Sequence, residues 1–168
     1  HLLSNGRYHV VITNAGGGYS RFQELALTRF HEDPTRDCWG SFIYVRDTAT
    51  GVYWSAAHQP TLQALKGAEA IVTPARAEFR VRPPGLEMHT EISVSPEDDV
   101  ELRRVTVVNR SSVIRTLEFT SYAEVVLAPA AADAAHPAFS NLFVQTEFIP
   151  GSSALLCARR PRSPEEAP

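Results

Sequence analysis

The stretch "LEMHTEISV" (Leu86–Val94) alternates without a break, with Leu86, Met88, Thr90, Ile92 and Val94 on one side and Glu87, His89, Glu91 and Ser93 on the other. Successive side chains of a strand point to opposite faces, so this pattern commits the segment to a sheet with one dry and one wet face. The run "RAEFRVR" upstream behaves the same way, with Ala77, Phe79 and Val81 against Arg76, Glu78, Arg80 and Arg82. "RPPGL" (Arg82–Leu86) between them is turn chemistry, so the two runs read as an antiparallel pair. Their shared apolar face has to be covered by another layer.

Strand signals continue along the chain. They fall at Tyr8–Thr13, Gly40–Arg46, Val52–Ala56, Glu69–Thr73, Asn141–Phe148 and Ala154–Ala158, and "RDTATG" (Arg46–Gly51) is a hairpin turn. In "DVELRRVTVVN", Val100 and Leu102 share one face while Val105 and Val107 fall on the other. That slip near Arg103–Arg104 predicts a bulge, or a strand buried on both sides. "VIRTLEFTSYAEVVLA" reads as one long strand with Leu117, Phe119, Ala123, Val125 and Leu127 on its apolar face. Helix is scarce: "PAAADAAH" has room for one turn or two, started by Pro129 and stopped before Pro137. The expected fold is all-β, a large antiparallel two-sheet β-sandwich.

At 168 residues one domain is the default. A formal net charge of −3 gives no electrostatic case for nucleic acid or an anionic membrane. The apolar runs are too short for a transmembrane helix, and "HLLSNGR" lacks the regions of a signal peptide. Cys38 and Cys157 lack metal-type spacing and read as a buried pair of free thiols rather than a disulfide. The start without Met and the Pro-rich end "RRPRSPEEAP" predict a domain of a longer protein, with the sandwich over residues 1–158 and a linker or tail over 159–168.

Several segments are candidates for chemistry. "NAGGGYSRF" follows the first apolar run, but a dinucleotide fingerprint would put its third glycine at Arg21, and the chain's sole lysine is Lys66. A backbone corner needing positive φ is the better reading. Glu87, His89 and Glu91 stand at a spacing a metal can use, or form a solvated face paired with Arg76, Glu78, Arg80 and Arg82. "HEDPTRDCWG" gathers His, Asp and Arg before a strand, and "WSAAHQPT" joins an aromatic to His58 and Gln59. "DAAHPAFSNLF" (Asp133–Phe143) is a long excursion between strong strands, where function often sits. No Ser/His/Asp or Cys/His signature is legible.

Taken in order, "LLSNGRYHVVITNAGGGYSR", "TRDCWGSFIYVRD", "WSAAHQPT", "HTEISVSPEDDVELRRVTVVNRS" and "TSYAEVVLAPAAADAAHPAFSNLFVQTE" resemble the N-terminal β-sandwich of family-94 glycoside phosphorylases. The likeness is greatest to the phosphorylase-like region of bacterial cyclic β-1,2-glucan synthases. The resemblance implies a supersandwich of the galactose-mutarotase kind, followed in the parent by an (α/α)6 barrel that carries the general acid. This part would then be non-catalytic and need no cofactor or metal, serving the barrel, its dimerisation and its β-glucan oligosaccharide site. It implies cleft or interface roles for Asp133, His136, Phe139 and Asn141, and next for Tyr19, Arg21 and Arg36. A cytoplasmic location follows, the parent being held at the inner membrane by other segments. Two rival readings remain: a β-glucan-binding module using Trp39, Trp54 and Tyr53, and an aldose 1-epimerase, whose motif "HPAFSNL" only loosely matches.

Overall fold

The computed structural model describes residues 1–33 and 35–161, so most of the predicted tail, 162–168, lies outside the described residues. Strands dominate. One sheet holds β1 (Leu2–Ser4), β2 (Tyr8–Ile12), β3 (Gly18–Phe22), β4 (Leu25–Thr28) and, joining from far along the chain, β12 (Val125–Pro129). A second, shorter sheet places β5 (Phe42–Asp47) between β6 (Tyr53–Ser55) and β11 (Leu117–Tyr122). The third is an antiparallel meander of β7 (Lys66–Thr73), β8 (Arg76–Arg82), β9 (Leu86–Val94) and β10 (Glu101–Asn109). β13 (Val144–Ile149) and β14 (Ala154–Arg159) form a separate hairpin.

The alternating runs predicted from sequence set the core. β8 and β9 pair Val81 with Met88 and Ala77 with Ile92, which puts their apolar residues on one face. At one end of that face Ala77, Phe79 and Ile92 pack on Leu3, Val10 and Ile12 of the first sheet. At the other end Val81, Leu86 and Met88 pack on Val45, Trp54 and Ala56 of the second. The meander is one layer, and the first and second sheets together cover it as the other. This is the expected two-layer antiparallel sandwich.

The glycine-rich segment is the β2–β3 corner, and a strand rather than a helix follows it. Gly18 has φ +138°, and a Cβ there would sit 1.8 Å from the Val11 carbonyl oxygen. Gly16 has φ +93°, with Ala57 Cβ 2.4 Å from where its own Cβ would be. The Gly18 N–H donates to the Trp39 carbonyl at 2.7 Å, so the corner also seats the loop that carries Trp39. The backbone requires glycine here, and no phosphate is involved in that requirement.

Four expectations fail. β10 pairs with β9 in unbroken register from Glu101 to Asn109, so the slip near Arg103 is no bulge. Its half-buried face is Glu101, Arg103, Val105 and Val107, in which an inward ion pair replaces two apolar residues. The run 113–128 is two strands in different sheets, β11 beside β5 and β12 beside β4. Its supposed apolar face is lost: Phe119 and Ala123 are exposed, while Val126 and Ala128 are buried. An extra residue between Val125 and Ala128, with Leu127 at φ +53°, bulges β12 against β4. The predicted strand start at Asn141 is instead helix, because α1 (Ala130–Ala135) is followed by a second short helix, α2 (Pro137–Asn141). The cysteines are both free, but Cys38 is exposed and Cys157 half-buried, so they form no buried pair.

Candidate functional site

The pairing of β4 with β12 decides the site. Arg29 follows β4 directly, and its N–H donates to the Glu124 carbonyl just before β12. α1 then folds back, bringing Asp133 over the same guanidinium. Arg29 Nε and Nη2 donate to Asp133 Oδ2 and Oδ1, both at 2.9 Å, in a bidentate fork. Nη1 donates to Glu124 Oε2 at 2.8 Å, and Nη2 also reaches Asn141 Oδ1 at 2.5 Å and the Pro137 carbonyl at 3.3 Å. One buried arginine therefore fastens α1, α2 and the approach to β12.

Electrostatics follow from that packing. Burial alone raises the Asp133 carboxyl pKa, but hydrogen bonds from Arg29 and Ser140 and the Arg29 charge outweigh it and hold the carboxyl below its ordinary value. The bond to Asp133 keeps Arg29 charged, raising its pKa against the opposing effect of burial. Both side chains are almost sealed from water, Arg29 at 5% exposure and Asp133 at 6%. Asp133 is thus an anchor, with both oxygens engaged, rather than a carboxylate aimed at a ligand.

Beside this clamp opens a cleft of about 500 Å³. Tyr19 and Phe30 form one wall, their rings 5.0 Å apart, and Arg21, Glu24 and Glu32 supply charge. Val126 and the start of α1 close it from the other side. Apolar walls with a few polar groups suit a small polar ligand with C–H faces. Of the sequence-predicted residues, Tyr19, Arg21 and Asp133 line this cleft, and Asn141 bonds to its clamp. Exposed His136 forms the joint between α1 and α2, its carbonyl accepting from Ser140 N–H at 2.9 Å. Phe139 is half-exposed and meets Phe143 edge-on. Arg36 stands apart on an exposed loop, where its carbonyl accepts from Gln59 Nε2.

Arg29 and Glu124 escaped the sequence reading. Arg29 meets Asp133 and Glu124 from about a hundred residues away along the chain, and no local pattern marks that pairing.

The metal reading of Glu87, His89 and Glu91 resolves into a charge network with a different member. Glu87 turns to Arg110 and Arg82, while Glu78 from β8 joins His89 and Glu91. Glu78, predicted to face outward with its neighbours, is buried. It accepts from Arg76 Nε at 2.6 Å and lies 2.9 Å from His89 Nε2; Glu91 accepts from Arg104 Nε at 2.7 Å. The hydrogen bond with His89, then that from Arg76, outweighs burial and holds Glu78 below the usual carboxylate range. Guanidinium groups already neutralise these oxygens, so a metal ion would have to displace them. Among the sequence-predicted aromatics, Trp54 is buried in the core and offers no platform.

The whole chain, residues 1–168, matches the family model described as glycosyl hydrolase 94, supersandwich domain. It is 40% identical over 163 residues to the cyclic beta-(1,2)-glucan synthase NdvB of Rhizobium meliloti (strain 1021), covering 97% of this chain and 6% of that protein. It is 26% identical over 156 residues to the N,N'-diacetylchitobiose phosphorylase of Vibrio proteolyticus and 28% identical over 156 to that of Vibrio furnissii. Each of these matches covers 90% of this chain and 20% of the phosphorylase.

Proposed function

This chain belongs to the glycosyl hydrolase 94 supersandwich family, and from that premise we propose that it is the non-catalytic sandwich domain of a β-glucan-processing enzyme. The parent would be of the cyclic β-1,2-glucan synthase or inverting glycoside phosphorylase kind. In it the sandwich supports an (α/α)6 catalytic barrel, takes part in its dimer contacts and forms one wall of its sugar site.

The observation that carries this reading is the unbroken family match over 1–168, with relatives named for a β-glucan and a chitobiose. The chain spans a fifth or less of the length of those relatives. The cleft lends support to the sugar-site role: Tyr19 and Phe30 offer ring faces to a pyranose, and Arg21, Glu24 and Glu32 offer hydroxyl partners. Arg29, fully occupied by Asp133, Glu124 and Asn141, serves there as a brace.

The test is to incubate the purified chain with a β-1,2-linked glucobiose and inorganic phosphate and to measure glucose 1-phosphate, with mutarotation followed in parallel by polarimetry. No rate above buffer is expected in either assay. Phosphorolysis or mutarotation by the chain alone would overturn the non-catalytic reading.

A further inference from the structure

A second cleft, of about 260 Å³, shares Arg29 with the first and is lined by Trp39, Phe42, Tyr44, Pro60, Tyr122 and Glu124. We propose that this aromatic cleft is a separate binding site for a neutral glucosyl oligosaccharide, in which Trp39, Tyr44 and Tyr122 stack a pyranose and Glu124 accepts its hydroxyls.

Strand pairing builds the site. Tyr44 lies on β5 and Tyr122 on the neighbouring β11, with Thr120 opposite Tyr44 in the register. Their rings meet at 79° with centroids 6.5 Å apart, leaving a ring face and a ring edge side by side. Trp39 is positioned from the other side by the glycine corner and by an edge contact with His31 at 4.8 Å. The Tyr122 hydroxyl donates to Glu124 Oε1 at 3.0 Å while Arg29 holds Oε2, so the carboxylate is oriented but still about a third exposed. Aromatic faces with a positioned polar handle match the alternating C–H and O–H surfaces of a sugar ring.

Charge selects among ligands. Arg29 and Glu124 are the charged residues of the lining; Arg29 is 5% exposed and already paired, so the charge a ligand meets is the Glu124 carboxylate, about a third exposed. A phosphate, sulfate or uronate would meet repulsion. A neutral polyol would not. The choice of β-linked glucosyl units rests on the function proposed above, whereas the cleft's preference for a neutral ring does not.

The chain contains 2 tryptophans, and Trp54 is 2% exposed, so Trp39 is the indole a ligand can touch. The intact chain is titrated with β-1,2-gluco-oligosaccharides at millimolar concentration while tryptophan fluorescence is recorded. A saturable shift is expected, weakened about tenfold or more in Tyr122→Ala, weakened less in Glu124→Gln and unchanged in the surface control Leu102→Ala, which is exposed on β10 and lines neither cleft. Tyr122 is 45% exposed, and a far-UV spectrum checks that its variant folds. If Tyr122→Ala does not fold, Tyr122→Phe, which keeps the ring but not the bond to Glu124, takes its place with a smaller weakening expected. No saturable shift in the folded chain would overturn the site, as would a shift of equal affinity in the Tyr122 variant. A shift with choline chloride but not with glucan would overturn it in favour of an ammonium cage. Failure here, with a native product much larger than this chain, removes only this site; success with a native product of this size removes only the domain reading.

Discussion

Replacing Arg29 by methionine keeps much of the side-chain volume and removes the charge that Asp133 faces. Asp133 would then be a carboxylate at 6% exposure without the fork of two 2.9 Å hydrogen bonds it now accepts. Breaking a buried pair by removing one partner costs about 3–5 kcal/mol, because the remaining charge stays desolvated. Against a typical domain stability of about 5–15 kcal/mol, that is a large share. It corresponds to a fall in Tm of roughly 6–20 °C for a domain of this size. Urea unfolding should show the midpoint falling with the slope unchanged. Adding Asp133→Leu to Arg29→Met should restore part of the loss, since no buried charge is then left unpaired on that side.

The sign of the pH dependence gives a second readout. In the native chain the Asp133 pKa is held low, so its contribution is present above the unfolded carboxylate value of about 3.9 and is lost as pH falls through the folded value. In Arg29→Met the effect of burial is no longer opposed by Arg29, the carboxyl pKa moves up, and the variant loses stability as pH rises through it. The gap between the two proteins should therefore narrow as pH is lowered from 7 toward 4. A cost below about 1 kcal/mol, the range of an exposed ion pair, or a gap that widens in acid, would refute the clamp.

Other substitutions test other parts of the account. Gly18→Ala, with its Cβ 1.8 Å from the Val11 oxygen, should cost more than about 3 kcal/mol or prevent folding. Gly51→Ala, at φ +73° in open space, should cost only about 1–2 kcal/mol by the same urea assay. Glu78→Gln should flatten the loss of Tm in acid, because the depressed Glu78 pKa makes its contribution vanish as pH falls through the folded value. Zinc added to the native chain should leave Tm unchanged, since Arg76 and Arg104 already occupy Glu78 and Glu91.

Local periodicity made half of this fold readable. β8 and β9 alternate because one face is buried and the other wet, and that is a property of neighbouring residues. β10 misled because its inward face is partly ionic: Arg103 bonds to Glu101 and to the Ser41 carbonyl, so hydropathy misplaces it. The run from 113 to 128 misled because β11 and β12 have different partners, and parity carried across the break assigns the wrong face to β12. The site divides the same way. Tyr19, Arg21 and Asp133 came from family likeness and converge on one cleft, whereas Arg29 and Glu124 depend on the long-range pairing of β4 with β12.

The central claim, that this sandwich serves a larger carbohydrate-active enzyme, is tested most directly by the mass of the native gene product, probed in its source cells with an antibody raised against this chain. A polypeptide several times larger than 18.5 kDa is the predicted result. A native product of about that size would contradict the account.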